Sequence, residues 1–98
     1  MITRIFRVKV KSDMKSEFEP LFRSVSLGSV KSATGCTDVI IGGPTVWSPD
    51  EYSMITTWED QDSLVDFAGP QWNEAHIPAG MEKFVDQCWV HHYVTIPT

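Results

Sequence analysis

The sequence predicts a single small domain of the α+β class. Several segments alternate apolar and polar residues with the period of a strand, and they are interleaved with two segments whose apolar residues recur at helical spacing. The chain has 98 residues, about the length of one domain, and no repeat or linker divides it. Its composition, 42% hydrophobic and 21% charged, is that of an ordinary globular protein. We therefore treat residues 1–98 as one domain.

The first predicted element is a strand. Residues 2–11 alternate apolar with polar side chains and are rich in β-branched residues. Phe6 and Val8 share one face with Arg4, whereas Ile5 points to the opposite face. The pattern thus places a cation on an otherwise apolar face. Such a charge either lies near the edge of the sheet or binds an anion.

A surface helix is predicted after this strand. Its apolar residues form one stripe at helical spacing: Met14, Phe18, Leu21, Phe22 and Val25. Ser16 and Glu19 have the spacing of a capping box, which would place Pro20 near the first turn, where proline is tolerated. The pair Thr34-Gly35 predicts the end of this helix.

Two short strands are predicted next. Residues 39–41 are β-branched, and the run Gly42-Gly43-Pro44 that follows them predicts a turn. Residues 52–59 alternate again, with four side chains on one face: Tyr52, Met54, Thr56 and Trp58. These two segments therefore predict the second and third strands.

The remaining third of the chain predicts helical segments and a last strand. The pattern is helical over residues 60–67 and is interrupted by Gly69-Pro70. Residues 72–76 predict a second short helix before Pro78. Three apolar residues extend the predicted helical stretch: Met81, Phe84 and Val85. Residues 88–96 predict the final strand.

The resulting order is β-α-β-β-α-β, the ferredoxin-like topology, with an antiparallel four-stranded sheet covered by helices on one face. The opposite face of strands one, three and four also carries apolar side chains. Because the chain offers no third layer to cover that face, the sequence predicts a homodimer.

Several classes of partner and location are disfavoured. The net charge of −5 argues against nucleic acid, whose binding depends on neutralising phosphates. No apolar run approaches the ~20 residues of a membrane span, and the start lacks the apolar core of a signal peptide. Cys36 and Cys88 are not in a CxxC motif, so we expect free thiols, no metal site and a cytoplasmic location.

The sequence resembles the antibiotic biosynthesis monooxygenase family of the dimeric α+β barrel superfamily. Four segments carry the resemblance: ITTWE at 55–59, LVDF at 64–67, GPQWNEAH at 69–76 and VHHYV at 90–94. The resemblance implies two subunits whose sheets close into a barrel. It also implies a pocket between each sheet and its helices, and, in several members, oxidation of phenols or quinols without a cofactor. The expected ligand is then a small aromatic molecule.

The resemblance and the residue types together suggest a candidate site. His76 is the candidate catalytic base, because an imidazole titrates near neutral pH and can accept a proton from a phenol. The candidate substrate-binding residues are Trp58, Phe67, Trp72, Arg4 and His92. Each has a structural alternative: the aromatic residues as core or dimer packing, and the histidines as hydrogen-bonded structural groups. His91 and His92 are adjacent on a strand and point to opposite faces, so only one can face the pocket.

Two other functions stay open on the sequence. A haem-degrading branch of the fold uses a histidine at the position of His76, a tryptophan at the position of Phe67, and an asparagine at that of Phe6 or Arg7. The chain would then be a haem-binding relative. The other alternative is a dimeric ligand-binding domain without catalytic activity.

Overall fold

A computed structural model describes all of residues 1–98. Four strands form one antiparallel sheet in the order β2-β3-β1-β4. Their bounds are β1 Ile2–Val10, β2 Cys36–Gly42, β3 Glu51–Trp58 and β4 Val85–Val94. Three α-helices lie on one face of the sheet: α1 Lys15–Leu21, α2 Leu27–Lys31 and α3 Gln61–Ala68. The predicted ferredoxin-like α+β fold is confirmed.

The first two helices belong to one continuous helical segment over residues 12–31. A 3₁₀ turn at Ser12–Met14 precedes α1, and a π-helical turn at Phe22–Ser26 joins α1 to α2. Pro20 lies inside α1, not in the first turn, and Ser16 does not cap the helix. The capping-box interpretation was therefore wrong, because helical structure already begins at Ser12.

The π turn also corrects the predicted apolar stripe. A π turn contains one residue more than an α-helical turn, so positions beyond it are rotated around the helix axis. Val25, predicted on the buried stripe, is 45% exposed, whereas Val30 is buried. The inner face of the segment instead continues from Phe22 to Ser26 and Val30.

Helix α3 begins and ends where the sequence predicted. The Asp60 carboxylate accepts a hydrogen bond from the Ser63 backbone N–H at 2.8 Å, which caps the first turn. Gly69 follows the last turn with φ 89°, a conformation that strongly favours glycine. Leu64, on the inner face, is completely buried.

The segment after α3 differs from the prediction. No second helix forms over 72–76; residues 69–81 are turns and irregular chain. Pro70 and Pro78 disfavour a helix here, because a proline inside a helix lacks the backbone N–H and clashes with the preceding turn. Gly80 adopts φ 90°, a turn conformation that favours glycine. The predicted extension through Met81, Phe84 and Val85 reduces to a 3₁₀ turn at Glu82–Phe84, and Val85 already belongs to β4. The last strand therefore begins three residues earlier than predicted and ends at Val94.

The hydrophobic core lies between the sheet and the helical layer. Phe18 and Phe22 stack with ring centroids 5.2 Å apart, and Tyr52 packs against both rings. Phe84 closes the same cluster at its edge. Trp58 and Leu64, both wholly buried, fill the other end. The core is one continuous cluster, and Phe22, Val30 and Met54 belong both to it and to the lining of the cavity described below.

The opposite face of the sheet has no covering layer. Ile5, Ile55 and Ile40 are directly opposite one another on β1, β3 and β2, and Ile40 is 56% exposed. On β4, Trp89 and Tyr93 share this face, and the Arg7 guanidinium lies 4.9 Å from the Trp89 ring centroid. The sequence predicted this second apolar face correctly.

The two cysteines are free thiols at opposite edges of the sheet. Cys36 begins edge strand β2, and Cys88 lies in the other edge strand, β4. They cannot form a disulfide within one chain, as the sequence predicted, because two strands separate them. None of the helices combines the length and the apolar content needed to span a bilayer.

Candidate functional site

A cavity of about 220 Å³ lies between the helix-facing side of the sheet and the helical layer. Its apolar walls come from β1, β3, the π turn and α3, chiefly from the following side chains: Phe6, Met54, Phe22 and Phe67. Its polar lining consists of Arg4, Thr56, Ser26, Ser29 and His76. An apolar space with a few convergent polar groups is the usual form of a small-molecule site.

Arg4 contributes a buried cation to this lining. It faces the helical layer from β1 and is only 8% exposed. Its Nη1 donates to the Trp72 carbonyl oxygen at 2.8 Å and to Nε2 of His92 at 3.1 Å. Burial lowers the pKa of Arg4, because the charged guanidinium is removed from water. No carboxylate of the chain forms an ion pair with it.

The contact with Arg4 fixes the state of His92. Arginine has only N–H donors, so Nε2 of His92 must accept, and the neutral ring carries its proton on Nδ1. Burial lowers the pKa of His92, and the charges of Arg4 and His91 lower it further. Of the two adjacent histidines, His92 faces the helical layer, whereas His91 pairs with Ile5 on the open face.

Trp72 binds the irregular segment to the sheet. Its carbonyl accepts from Arg4, and its indole packs edge-on against the His92 ring with centroids 4.7 Å apart. Trp72 was expected to border the cavity, but its side chain does not line it. It instead positions the groups beside the cavity, Arg4 and His92.

Trp58 also lies behind the cavity wall. The indole is 0% exposed and packs against Phe67, with ring centroids 5.1 Å apart. Its Nε1 donates to the Thr56 hydroxyl at 2.9 Å, which leaves the hydroxyl hydrogen of Thr56 free to meet a ligand. Trp58 was expected as a wall, but its position on the strand directs the ring into the core. Phe67, which is 40% exposed, does line the cavity.

His76 lies at the edge of the cavity. It belongs to the irregular segment 69–81, and its exposed side chain lines the cavity beside Pro78. The predicted helix end does not position it, because no helix forms over 72–76. The structure therefore brings together Arg4, Phe67 and His76 around one space, with His92 in contact with Arg4.

Several lining residues were not singled out from the sequence. Phe6, Met54 and Thr56 share the helix-facing side with Arg4, so the period-two pattern contained the signal that they would meet it. Ser26 and Ser29 had no such signal. They stand four and seven residues after Phe22, on the same helical face, but a hydrophobic pattern does not single out polar side chains.

This fold and cavity define a small α+β domain with a space between its two layers. The sequence profile of the family described as antibiotic biosynthesis monooxygenase matches residues 1–76, most of the chain. The chain belongs to that family, as the resemblance predicted. No curated protein sequence matches it significantly.

Solved structures show the same fold at low sequence identity. A crystal structure of an antibiotic biosynthesis monooxygenase aligns with a TM-score of 0.75 at 16% identity, covering 99% of this chain and 100% of that one. A Pseudomonas aeruginosa protein aligns at 0.76 and 14%, covering 98% and 94%. A variant of MhuD with two manganese protoporphyrin IX molecules bound per active site aligns at 0.75 and 16%, covering 100% and 97%.

Proposed function

We propose that this chain is a cofactor-independent monooxygenase that oxidises a small aromatic, quinol-type substrate in the interlayer cavity. One observation carries the proposal: an aromatic-walled cavity holds a histidine at its edge and a buried arginine in its wall. Membership of the monooxygenase family supports the same reaction class. The activity itself is the proposal, because fold and function are separable.

The cavity size indicates the size of the substrate. A cavity of ~150 Å³ lined by apolar side chains accommodates one benzene molecule. The cavity here, about 220 Å³, is roughly half as large again, which suits one or two fused aromatic rings. Phe6 and Phe67 can pack against the flat faces and edges of such rings.

The proposed reaction needs no external reductant. His76 removes the proton of the acidic hydroxyl group, and the resulting electron-rich anion transfers an electron to dioxygen. Recombination forms a carbon–oxygen bond at a ring CH₂ or CH position. One oxygen atom stays in the product as a carbonyl, and the other leaves as water with the two hydrogens lost by the substrate. The substrate supplies all four electrons that reduce dioxygen.

The chain's residues would assist this reaction in separate ways. His76 holds the proton, the Thr56 hydroxyl donates to the negatively charged substrate oxygen, and Arg4 holds an anionic group of the substrate. An aromatic ring bound against the apolar walls would displace water from the cavity, which would strengthen these electrostatic interactions. We propose further that the open sheet face with Ile5, Ile40 and Ile55 packs against a second copy, giving a homodimer.

Oxygen uptake with a panel of one- and two-ring hydroquinones tests the proposal. We expect His76→Ala to lower the rate by about 10²–10⁴-fold, the usual contribution of a general base. Glu74→Ala is the matched control, because Glu74 is exposed on the same segment and does not line the cavity. Absence of oxygen uptake with every substrate would instead favour a ligand-binding domain without catalysis.

Haem binding is the second candidate, favoured only by His76 at the cavity edge. A cavity of about 220 Å³ is small for a porphyrin, which has four pyrrole rings. Of the three residues that the haem-degrading branch uses, only the histidine is present, as His76; Phe67 stands in place of the tryptophan, and Phe6 or Arg7 in place of the asparagine. The residues therefore do not fit haem. Titration with haemin should give no sharp Soret shift that His76→Ala abolishes.

A further inference from the structure

We propose that the ligand of the interlayer cavity carries a carboxylate, which binds in bidentate fashion to the Nε and Nη2 edge of Arg4. The inference rests on the cavity being the substrate site, as proposed above, and it names the chemical class of that substrate: an aromatic acid of one or two rings. Its first basis is the burial of Arg4, which is only 8% exposed within the chain.

The hydrogen bonds of Arg4 leave one edge of the guanidinium free. Nη1 makes both contacts, one to the Trp72 carbonyl and one to His92. Nε and Nη2 make no hydrogen bond. Every fully buried side-chain nitrogen of the chain has a hydrogen-bond partner, so these two atoms are not fully buried. Both atoms therefore retain open space beside them, and the space that Arg4 lines is the cavity.

Arg7, on the same strand, shows that the Nε and Nη2 edge of a guanidinium binds a carboxylate. Its Nε and Nη2 donate to the two carboxylate oxygens of Glu51 at 2.8 and 3.0 Å. Arg4 and Arg7 lie on opposite faces of β1. On the open face, Arg7 is paired with the Glu51 carboxylate, whereas no carboxylate of the chain pairs with Arg4 on the helix-facing side. Paired N–H donors of this geometry match a carboxylate better than a single oxygen.

The surroundings of Arg4 favour an external anion over an internal one. Both of its partners are neutral, a carbonyl and a histidine that accepts through Nε2. A buried cation without a counter-charge is costly, and a bound anion would offset that cost. The adjacent walls, Phe6 and Met54, leave room for an apolar ring system attached to the carboxylate.

Calorimetric titration with 2-naphthoate and with its neutral isostere 2-naphthamide tests the proposal without any variant. We expect naphthoate to bind at least about tenfold more tightly, because hydrogen bonds to a charged group contribute ~1.5–3 kcal/mol. Equal affinity of the two compounds, or no binding of naphthoate, would overturn the carboxylate assignment.

Variants locate the carboxylate. Arg4→Gln should lower naphthoate affinity about 10–100-fold and change naphthamide affinity little. Arg4→Lys keeps the charge but loses the paired donors, so it should recover only part of the affinity. Arg7→Gln, on the opposite face of the same strand, is the control and should bind naphthoate like the wild type. If Arg7→Gln weakens naphthoate binding as strongly as Arg4→Gln does, the carboxylate does not bind specifically at Arg4.

This test separates the inference from the proposed reaction. Binding of naphthoate through Arg4 without oxygen uptake by any hydroquinone would support the acid site and overturn the monooxygenase. Oxygen uptake with neutral hydroquinones, with no preference for substrates bearing a carboxylate and no naphthoate binding, would support the monooxygenase and overturn the acid site. If Arg4→Gln fails to fold, the comparison of naphthoate with naphthamide on the wild type still decides.

Discussion

At the scale of single residues, the site depends on a contact between a cation and a histidine. Arg4 and His92 are directly opposite each other on β1 and β4, which places Nη1 against Nε2 at 3.1 Å. The contact requires a neutral His92, because a protonated ring would present a second donor and a second positive charge to Arg4. Proton uptake by His92 therefore opposes the arrangement that shapes the cavity.

His92 gives the stability a predictable pH dependence. Its pKa in the folded chain is lowered by burial and by the charges of Arg4 and His91, so the unfolded chain, titrating near ~6.5, binds the proton more readily. The contribution of neutral His92 to the free energy of unfolding is fully present above about pH 6.5 and is lost as the pH falls below that value.

Urea unfolding at pH 7.5 and 5.5 checks this expectation. His92→Gln retains an acceptor for Arg4 but cannot titrate, so its free energy of unfolding should fall less between the two pH values than that of the wild type. His76→Gln, exposed on the irregular segment 69–81, is the control and should follow the wild type. Parallel pH dependence of His92→Gln and wild type would contradict the assignment.

At the scale of elements, the helical segment over 12–31 contains two features that weaken it and shape the cavity. Pro20 removes one backbone donor inside α1, and the π turn Phe22–Ser26 follows at once. The Leu27 N–H donates to the Phe22 carbonyl, five residues back, and the Ser24 hydroxyl donates to the Pro20 carbonyl at 3.0 Å. The π turn places Phe22 and Ser26 at the cavity. Such single π turns occur frequently at functional sites.

Pro20→Ala should stabilise the chain. A proline inside a helix costs ~3 kcal/mol relative to alanine, and alanine leaves the unfolded chain more flexible by ~1 kcal/mol, so we expect a net gain of about 1–2 kcal/mol. Chemical denaturation measures it. Ser16→Ala is the companion variant and should be nearly neutral, because Ser16 does not cap the helix. A loss of ~1 kcal/mol in Ser16→Ala would restore the capping box.

At the scale of the whole molecule, one sheet serves two purposes. Its helix-facing side forms the core and the cavity, whereas its other side exposes Ile40, Tyr93 and neighbouring apolar residues. The ion pair of Arg7 and Glu51 crosses this open face, and the paired charges suit a buried position better than single ones. The face is therefore consistent with the proposed homodimer.

Ile40→Glu tests the homodimer. Ile40 is 56% exposed in the single chain, so a carboxylate there should leave folding intact, but it would be buried between two sheets. We expect light scattering to give twice the subunit mass for the wild type at micromolar concentration and one subunit mass for the variant. Val25→Glu, exposed on the outside of the helical segment, should remain dimeric. A monomeric wild type would refute the dimer.

The sequence alone determined the fold class, the order of the strands and the bounds of α3. These follow from local patterns: alternation in β1 and β3, and the cap at Asp60 with Gly69 at the other end. It also determined that Arg4 would be a cation on an apolar face, because side-chain direction in a strand depends only on position parity.

Only the tertiary structure decided what surrounds that cation. The pairing of Arg4 with His92 spans 88 positions of the chain and depends on strand register, which no local pattern specifies. Trp58 and Trp72 were expected in the cavity wall but lie behind it. The Trp58 ring packs against Phe67, and the Trp72 ring packs against His92. Local periodicity sets which face a residue occupies, whereas contacts distant in sequence set which residues meet there.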